Sequence, residues 1–144
     1  SNKGLGPGWA AVVAAGLSVN EVLKILDIGF NKIGPKGAAA IAEGLRGNGV
    51  LTKLNLDGHA LELPKLRGTD PVASLDLSGK HLGPASAVVI ASLIEGNGVL
   101  TNLNLGANQI GDEGAKALAS GLRVNAVLNN IDLRYNDLGD EGKG

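Results

Sequence analysis

The residues of this chain that could perform chemistry are few, and most of them lie in one stretch. His59, Lys80 and His81 flank a segment that departs from the pattern of the rest of the chain. Histidine binds metals and exchanges protons near neutral pH, and a nearby lysine would disfavour protonated His59. A local binding or switching site is therefore one hypothesis for this stretch. A metal site has less support, since only Asp57 and Asp76 would add ligands and no compact spacing supports one.

Other sequence motifs do not indicate catalysis. The sequence "GPGWAA" at 6–11 fits a phosphate-binding glycine pattern, but the same slot recurs as "GPKGAA" and "GPASAV" and so indicates a repeated turn. The chain has two histidines, no cysteine and no nucleophile–base constellation. Arg67 is the one loop arginine that could act on a GTPase-bound nucleotide. We predict that the chain is not an enzyme and that it binds neither a cofactor nor a metal.

Composition argues against several classes of partner. The 144 residues include 13 basic and 14 acidic side chains, which give a net charge of −1 without a basic cluster. This balance provides no field that would attract nucleic acid or an anionic membrane. The apolar run at 9–17 is too short to span a bilayer, so we predict neither nucleic-acid binding nor membrane insertion. Cysteine-free composition does not fix the compartment, and we favour the cytoplasm.

A repeated pattern must position these residues. Glycine accounts for 23 of the 144 residues and aromatic residues for only three, which indicates many fixed turns around an aliphatic core. A leucine or valine followed three and five residues later by aliphatic residues begins each repeat. The five repeats start at Leu23, Leu51, Val72, Leu100 and Leu128. Successive starts are separated by 28, 21, 28 and 28 residues.

Each repeat divides into a strand and a helix. Alternating aliphatic residues such as Leu26 and Ile28 predict a strand. The block "GPKGAAAIAEGLRGNGV" from Gly34, and its equivalents, has apolar residues at helical spacing between Pro or Asp at the start and Gly or Asn at the end. One such unit cannot bury both faces alone. We therefore predict a curved α/β solenoid with five parallel strands on the concave face and helices on the convex face.

The pattern L-x-x-L-x-L-x-x-N-x-[IL]-G, followed by G-A-x-A-[IL]-A-x-x-L-x-x-N, resembles the leucine-rich repeats of the ribonuclease-inhibitor type. Such 28-residue repeats also occur in immune receptors of the nucleotide-binding oligomerisation type. The resemblance covers residues 1–144 and implies a single repeat domain that presents a surface to partners. Residues 1–22 would end a preceding repeat, so we expect a fragment of a longer array, or ends that a partner or a second copy covers.

The shortened repeat at 51–71 has "ELPKLRGTDP" where a helix should stand. Pro64 and Pro71 oppose a helix, so we predict an extended or single-turn crossover over 62–71. Three leucines of this unit should still point inward, namely Leu61, Leu63 and Leu66. The arc would then flatten locally or leave a shallow gap behind the crossover.

The turn after each strand carries a second irregularity. In regular units the turn contains an asparagine, which in the resembling family bonds to backbone groups of the neighbouring turn; these are Asn31, Asn108 and Asn136. The shortened unit and its successor have His59 and Lys80 instead. The simplest interpretation is a turn geometry that needs no asparagine. The alternative interpretation is a local binding or switching site, in which His59 and Lys80 lie on adjacent strands about 5 Å apart.

The residues between the buried leucines are predicted to face the concave side in columns. The first column is Asp27, Asn55, Asp76, Asn104 and Asp132. The second contains Asp57, Ser78 and Arg134, and the third contains the aromatic residues Phe30 and Tyr135. Aspartate and asparagine are common at these positions for structural reasons. The alternative is a mildly acidic face for a basic or polar partner, with Phe30 and Tyr135 as anchors.

These observations predict a non-enzymatic interaction or scaffold module whose concave face binds another protein. The alternative is a structural or assembly subunit that docks, or self-associates, through uncapped ends or through the gap behind 62–71. A third hypothesis is a GTPase regulator that acts through Arg67. None of the three identifies the partner.

Overall fold

The fold consists of a layer of helices packed on a layer of short strands. The computed structural model describes residues 9–19, 22–28 and 33–136. The helices are α1 (Trp9–Val19), α2 (Gly34–Arg46), α3 (Leu63–Arg67), α4 (Pro84–Ile94) and α5 (Gly111–Val124). The strands are β1 (Ile25–Asp27), β2 (Lys53–Asn55), β3 (Ala60–Glu62), β4 (Ser74–Asp76), β5 (Asn102–Asn104) and β6 (Asn130–Asp132). An aliphatic core lies between the two layers.

The regular strands form at the Leu-x-Leu sequences. Leu54 of β2 and Leu103 of β5 are buried, whereas their neighbours within the strand are more exposed. β1 pairs in parallel with β2, β4 with β5, and β5 with β6, and each pairing joins the same position of two successive repeats. Equivalent residues of successive repeats therefore stack in columns along the sheet.

The helices of neighbouring repeats approach each other closely at glycine. A Cβ atom added at Gly44 of α2 would lie 2.5 Å from the carbonyl oxygen of Ala14 in α1. A Cβ atom at Gly121 of α5 would lie 2.7 Å from the carbonyl oxygen of Ala91 in α4. The repeated alanine and glycine residues thus keep the helix layer compact, because small side chains allow short interhelical distances.

The shortened repeat breaks the parallel array, so the prediction of five consecutive parallel strands is wrong. After β2 the chain turns back and forms β3, which pairs with β2 in antiparallel orientation and places Leu61 opposite Leu54. The described strands number six, in sheet A (β1–β2–β3) and sheet B (β4–β5–β6). The turn is feasible because Gly58 adopts a φ of +99°, and Ala60-Leu61-Glu62 restores strand alternation after it.

The predicted single-turn crossover at 62–71 is confirmed. The only helix in this span is α3, which has five residues and is followed by the C-cap residue Gly68 in the left-handed conformation. Leu61, Leu63 and Leu66 are completely buried, as predicted. Because α3 is short, α2 packs directly on α4. The helix layer therefore remains continuous at the point where the strand layer divides into two sheets.

The largest fully buried side chains in the described ranges are leucine and isoleucine, in keeping with the scarcity of aromatic residues. Five asparagines are buried among them: Asn48, Asn97, Asn108, Asn125 and Asn136. Within the part of the chain that the structure describes, every helix is too short or too polar to cross a membrane. The predicted anchor Phe30 and the turn residue Asn31 lie outside the described residues.

Candidate interaction site on the strand face

A polar groove crosses sheet B on the strand face, by which we mean the side of the two sheets that points away from the helices. Its volume is about 350 Å3. Two columns of polar side chains line it: Ser74, Asn102 and Asn130 in the first, and Asp76, Asn104 and Asp132 in the second. Hydroxyl, amide and carboxylate groups can all form hydrogen bonds with a peptide. The groove therefore suits a polar partner.

The second column also stabilises the turns that follow the strands. The amide of Ser78 donates to Asp76 Oδ1 at 2.9 Å, and the amide of Gly106 donates to Asn104 Oδ1 at the same distance. The amide of Arg134 donates to Asp132 Oδ1 at 3.0 Å. These bonds agree with the structural interpretation of the Asp/Asn column, and they fix the orientation of side chains that also line the groove.

The two carboxylates of the groove differ in their surroundings. Hydrogen bonds from the Ser78 hydroxyl and amide lower the pKa of Asp76. Hydrogen bonds from Arg134 lower the pKa of Asp132 to about 2, and the guanidinium of Arg134 lies 2.8 Å from Asp132 Oδ2. Both carboxylates are therefore ionised near neutral pH. Since Arg134 neutralises Asp132, Asp76 carries the remaining negative charge of the groove.

The first column is not among the predicted site residues. Ser74, Asn102 and Asn130 directly precede the buried leucine or isoleucine of each strand. Strand alternation places the residues before and after a buried residue on the same face, and this rule would have found them. In sheet A the same column holds Ile25 and Lys53.

Sheet A presents different chemistry from sheet B. Asp27 and Asn55 are paired neighbours in β1 and β2, as their predicted column requires. Asn55 Oδ1 accepts a hydrogen bond of 2.7 Å from the amide of Gly58 and so holds the turn between β2 and β3. The adjacent positions carry the aliphatic side chain of Ile25 and the cation of Lys53. The strand face is therefore divided into two chemically distinct areas.

The predicted position of Asp57 on the concave face is wrong. Its carboxylate Oδ2 accepts hydrogen bonds from the amide of Gly83 at 2.9 Å, the amide of Ser86 at 3.2 Å and the hydroxyl of Ser86 at 2.5 Å. These groups begin α4, whose own N-cap residue, Gly83, has no side chain. Asp57 therefore caps α4 from a distant turn, where its negative charge also complements the helix dipole.

Tyr135 lies on the surface in an unusual backbone conformation. Its φ is +64° and 82% of the residue is exposed. The equivalent positions in the preceding repeats are Gly58, Gly79 and Ala107, which also have positive φ. A large residue in this region of φ is uncommon and raises the energy of the backbone. Tyr135 and its neighbour Arg134 are thus both exposed, and Arg134 contacts Asp132, which lines the groove.

The residues of the irregular turn do not lie on adjacent strands as predicted. His59 is in the turn between β2 and β3, whereas Lys80 and His81 follow β4 in the other sheet and are exposed. Burial lowers the pKa of His59, and the Lys80 ammonium lowers it further, while Glu62 opposes them. The predicted influence of Lys80 on His59 therefore has the expected direction. No group of three or more potential metal ligands comes together within the described ranges.

The contacts of the turn asparagines explain why no asparagine is needed at position 80. Asn108 Oδ1 accepts hydrogen bonds from the amides of Lys80 and Leu82, which belong to the preceding turn, at 2.9 and 3.0 Å. An asparagine at position 80 would have to serve His59 and Leu61 in the same way. Leu61 is already paired with β2 in the hairpin. The altered turn geometry thus removes the requirement for asparagine at position 80.

Arg67 ends α3 and does not lie in a loop, contrary to the assumption behind a reactive arginine. Its guanidinium donates to the carbonyl oxygens of Leu45 at 3.1 Å, Asn48 at 2.7 Å and Leu51 at 3.5 Å. Burial lowers its pKa. Arg67 also lines a cleft of about 390 Å3 between the ends of α2 and α4, where the sequence predicts a gap.

Comparison with known proteins supports part of the repeat assignment. Three segments, residues 19–42, 96–119 and 124–142, match the model of the leucine rich repeat family. These matches support leucine-rich repeats in the three segments. Each matched segment contains one strand, β1, β5 or β6 respectively, and the antiparallel hairpin and α3 fall in the unmatched stretch. No curated protein sequence matches the chain.

A solved structure, described as "Leiomodin-1 Actin-Binding Site 2 (ABS2)", is similar to 92% of this chain. The match spans 66% of that chain at 20% sequence identity, with a TM-score of 0.48. At this level of similarity, actin binding is a property of leiomodin-1 that does not carry over to the present protein.

Proposed function

We propose that this chain is a non-enzymatic protein-interaction module that binds another protein on its strand face, at the groove of sheet B. One observation carries the proposal: six polar side chains in two aligned columns line a groove of about 350 Å3. Their supply of donors and acceptors supports a partner that lays polar groups along the strands. We further infer a single domain of the ribonuclease-inhibitor type, which the regular spacing of the parallel strands supports.

The arrangement of polar groups in the groove supports binding over catalysis. Asp76 and Asp132 hydrogen-bond to their own turns, and both have lowered pKa values. A general base or acid for reactions near neutral pH usually needs a pKa shifted toward 7. The guanidinium of Arg67 bonds to backbone carbonyls on the other side of the fold. These groups are therefore better suited to recognition.

Site-specific photocrosslinking in cells tests this function. A photoreactive phenylalanine analogue at Asn102 places the reactive group within the groove. The matched control carries it at Ala119, which is exposed on α5 in the helix layer. We expect a discrete crosslinked protein from position 102 and not from position 119. The substitution Asp76→Arg on the same background should abolish that product, because it reverses the charge of the groove.

Crosslinking from Ala119 alone, or a product at position 102 that Asp76→Arg leaves unchanged, would contradict the assignment of the groove. Circular dichroism and thermal unfolding of the Asp76→Arg variant provide the folding control. Asp76 is exposed, so we expect the variant to retain the helical signal of the parent.

A second candidate function, assembly through the end of the array, has its own supporting observation. Three large aliphatic residues of α1 and β1 are strongly exposed: Val12 by 74%, Val19 by 78% and Ile25 by 61%. They flank an apolar groove of about 220 Å3 lined by Val13, Gly16, Leu17, Leu23 and Leu26. Exposed apolar surface of this kind is typical of contacts between proteins or between repeats.

Sedimentation velocity distinguishes the two candidates. If assembly is the function, the chain should associate with increasing concentration, and Val19→Lys with Ile25→Lys should return it to a monomer. A parent chain that stays monomeric at every accessible concentration would count against assembly and would leave the groove proposal unaffected.

A further inference from the structure

Three buried asparagines follow the helices and connect one repeat to the next. Asn125 Nδ2 donates to the carbonyl oxygens of Ile94 at 2.6 Å and Asn97 at 3.1 Å, both in the preceding repeat. Its Oδ1 accepts hydrogen bonds of 2.7 Å from the amides of Val127 and Leu128, at the boundary with the next repeat. One side chain thus satisfies two carbonyls on one side and two amides on the other, which the buried site requires.

Asn48 and Asn97 form equivalent contacts. Asn48 Nδ2 donates to the carbonyl oxygen of Leu17 at 2.8 Å, and its Oδ1 accepts from the amides of Val50 and Leu51. Asn97 Nδ2 donates to the carbonyl oxygens of Lys65 and Leu66, in the second half of α3. We call this series the inner ladder and each of its members a rung. The shortened repeat has no asparagine at the corresponding position, because it ends at residue 71.

In the shortened repeat, Arg67 contacts the carbonyl positions that an asparagine contacts in a regular repeat. Asn125 bonds to the carbonyls of Ile94 and Asn97, in the repeat that starts at Val72. When that repeat is aligned with the one that starts at Leu23, these two residues coincide with Leu45 and Asn48. Leu45 and Asn48 are the residues whose carbonyls accept from Arg67.

We propose that Arg67 is a substitute rung, which replaces the missing asparagine and joins the shortened repeat to the repeat before it. Asparagine and arginine are different side chains on different elements. Both nevertheless donate side-chain N–H groups to equivalent backbone carbonyls, Asn125 to those at the end of α4 and Arg67 to those at the end of α2. The guanidinium adds a positive charge at the carboxyl end of α2, where the helix dipole favours a cation.

The sequence also explains how a donor-only side chain can replace an asparagine. The Oδ1 of a regular rung accepts from the two residues at the repeat boundary, such as Val127 and Leu128. At the boundary after the shortened repeat these positions are Pro71 and Val72. Proline has no amide hydrogen, so one of the two donors that need an acceptor does not exist. The groups that remain to be satisfied are therefore mainly carbonyl acceptors. Arginine, which has five donors and no acceptor, can bond to these.

Gly68 allows the shortened repeat to contact the repeat that follows it. A Cβ atom at this position would lie 2.8 Å from Asn97 Oδ1, and the φ of Gly68 is +88°. The next rung can therefore approach the end of α3 only because residue 68 is glycine. The ladder then runs without a break through Asn48, Arg67, Asn97 and Asn125.

Thermal unfolding of the Arg67→Met variant tests the proposal. Methionine retains an unbranched apolar stem and removes the donors, so lost packing is largely controlled. We expect the Tm to fall by about 10 °C, because two buried carbonyls lose a charged donor. Arg67→Lys should recover less than half of this loss, since one ammonium cannot reproduce the planar fork. The matched control, Arg46→Met, alters an exposed arginine that lines the same cleft and should shift the Tm by less than about 2 °C.

Carbonyl carbon-13 chemical shifts provide a second readout that a packing role would not move. In Arg67→Lys, which should remain folded, the signals of Leu45 and Asn48 should shift in the direction that loss of a hydrogen bond produces. Those of Ile94 and Asn97, served by Asn125, should stay in place. Full stability of Arg67→Met, or unchanged Leu45 and Asn48 signals in Arg67→Lys, would overturn the proposal.

Discussion

The carboxylate of Asp57 accepts a hydrogen bond of 2.9 Å from the amide of Gly83, which lies 26 residues further along the chain. The two residues belong to different repeats, and the bond links the hairpin of sheet A to the first turn of α4 in the following unit. Since β2 and β4 share no strand pairing, this contact supplies a connection that the backbone ladder does not provide.

We predict that Asp57→Ala lowers the free energy of unfolding by about 1–3 kcal/mol, because α4 loses its cap and the buried Ser86 hydroxyl loses its partner. Chemical denaturation measures the change. Asp70→Ala, which alters an exposed aspartate in the same shortened repeat, should stay within about 0.5 kcal/mol of the parent. Equal effects of the two substitutions would contradict a capping role for Asp57.

The close contact at Gly121 predicts that alanine destabilises the helix layer despite its better helix propensity. A methyl group there would collide with the carbonyl oxygen of Ala91, so Gly121→Ala should lower the free energy of unfolding by about 1–3 kcal/mol. Gly16→Ala in α1 meets no atom within 4 Å and should raise it by about 0.5–1 kcal/mol. Denaturation curves of the two variants should therefore move in opposite directions, and a stabilised Gly121→Ala would show that α4 and α5 are less tightly packed.

The surroundings of His59 predict how its pKa responds to substitution. Lys80→Gln should raise the pKa of His59 but leave it below the ordinary value of 6.5, because burial is the larger cause. Glu62→Gln should lower it, since the carboxylate favours the protonated imidazole. A folded-state pKa below the unfolded value means that this group reduces stability as the pH falls below about 6.5. NMR titration of the imidazole measures the pKa, and shifts of opposite sign would refute this electrostatic account.

Tyr135 should be replaceable without loss of stability if its role is to contact a partner. Tyr135→Gly removes a bulky side chain from a positive-φ position, so we expect the Tm to be unchanged or raised. Photocrosslinking from the groove should meanwhile fall by roughly tenfold or more, as for an interface anchor. Ala107→Gly, at the equivalent position of the preceding repeat, serves as the control and should affect crosslinking less. A marked drop in Tm for Tyr135→Gly would instead assign the ring a packing role.

The sequence predicts the regular elements well because their signals are local. Leu-x-Leu alternation locates the strand residues around Leu54 and Leu103, and the spacing of alanine and leucine locates α2 and α5. The inward direction of Leu61, Leu63 and Leu66 also follows from apolar character alone. Each of these features depends on residues that are close together in the chain.

Features that join one repeat to another could not be predicted in this way. The segment Ala60–Glu62 is too short for its sequence to predict a strand. Its pairing depends on the preceding turn, which brings the chain back to β2. Asp57 occupies a position that faces the concave side in a regular repeat, and the hairpin redirects it toward α4. The contacts of Arg67 depend on where α3 places it relative to α2, which no local pattern specifies.

The contacts of Arg67 also bear on how arrays of this kind can change in length. Arg67 stands earlier in its unit than the asparagine of a regular unit does, yet its longer side chain reaches the same acceptors. In this chain a unit without a long outer helix thus keeps its connection to the preceding unit, because a donor still reaches those two acceptors. We therefore expect a deletion that retains such a donor to destabilise the array less than a deletion of equal length that removes it.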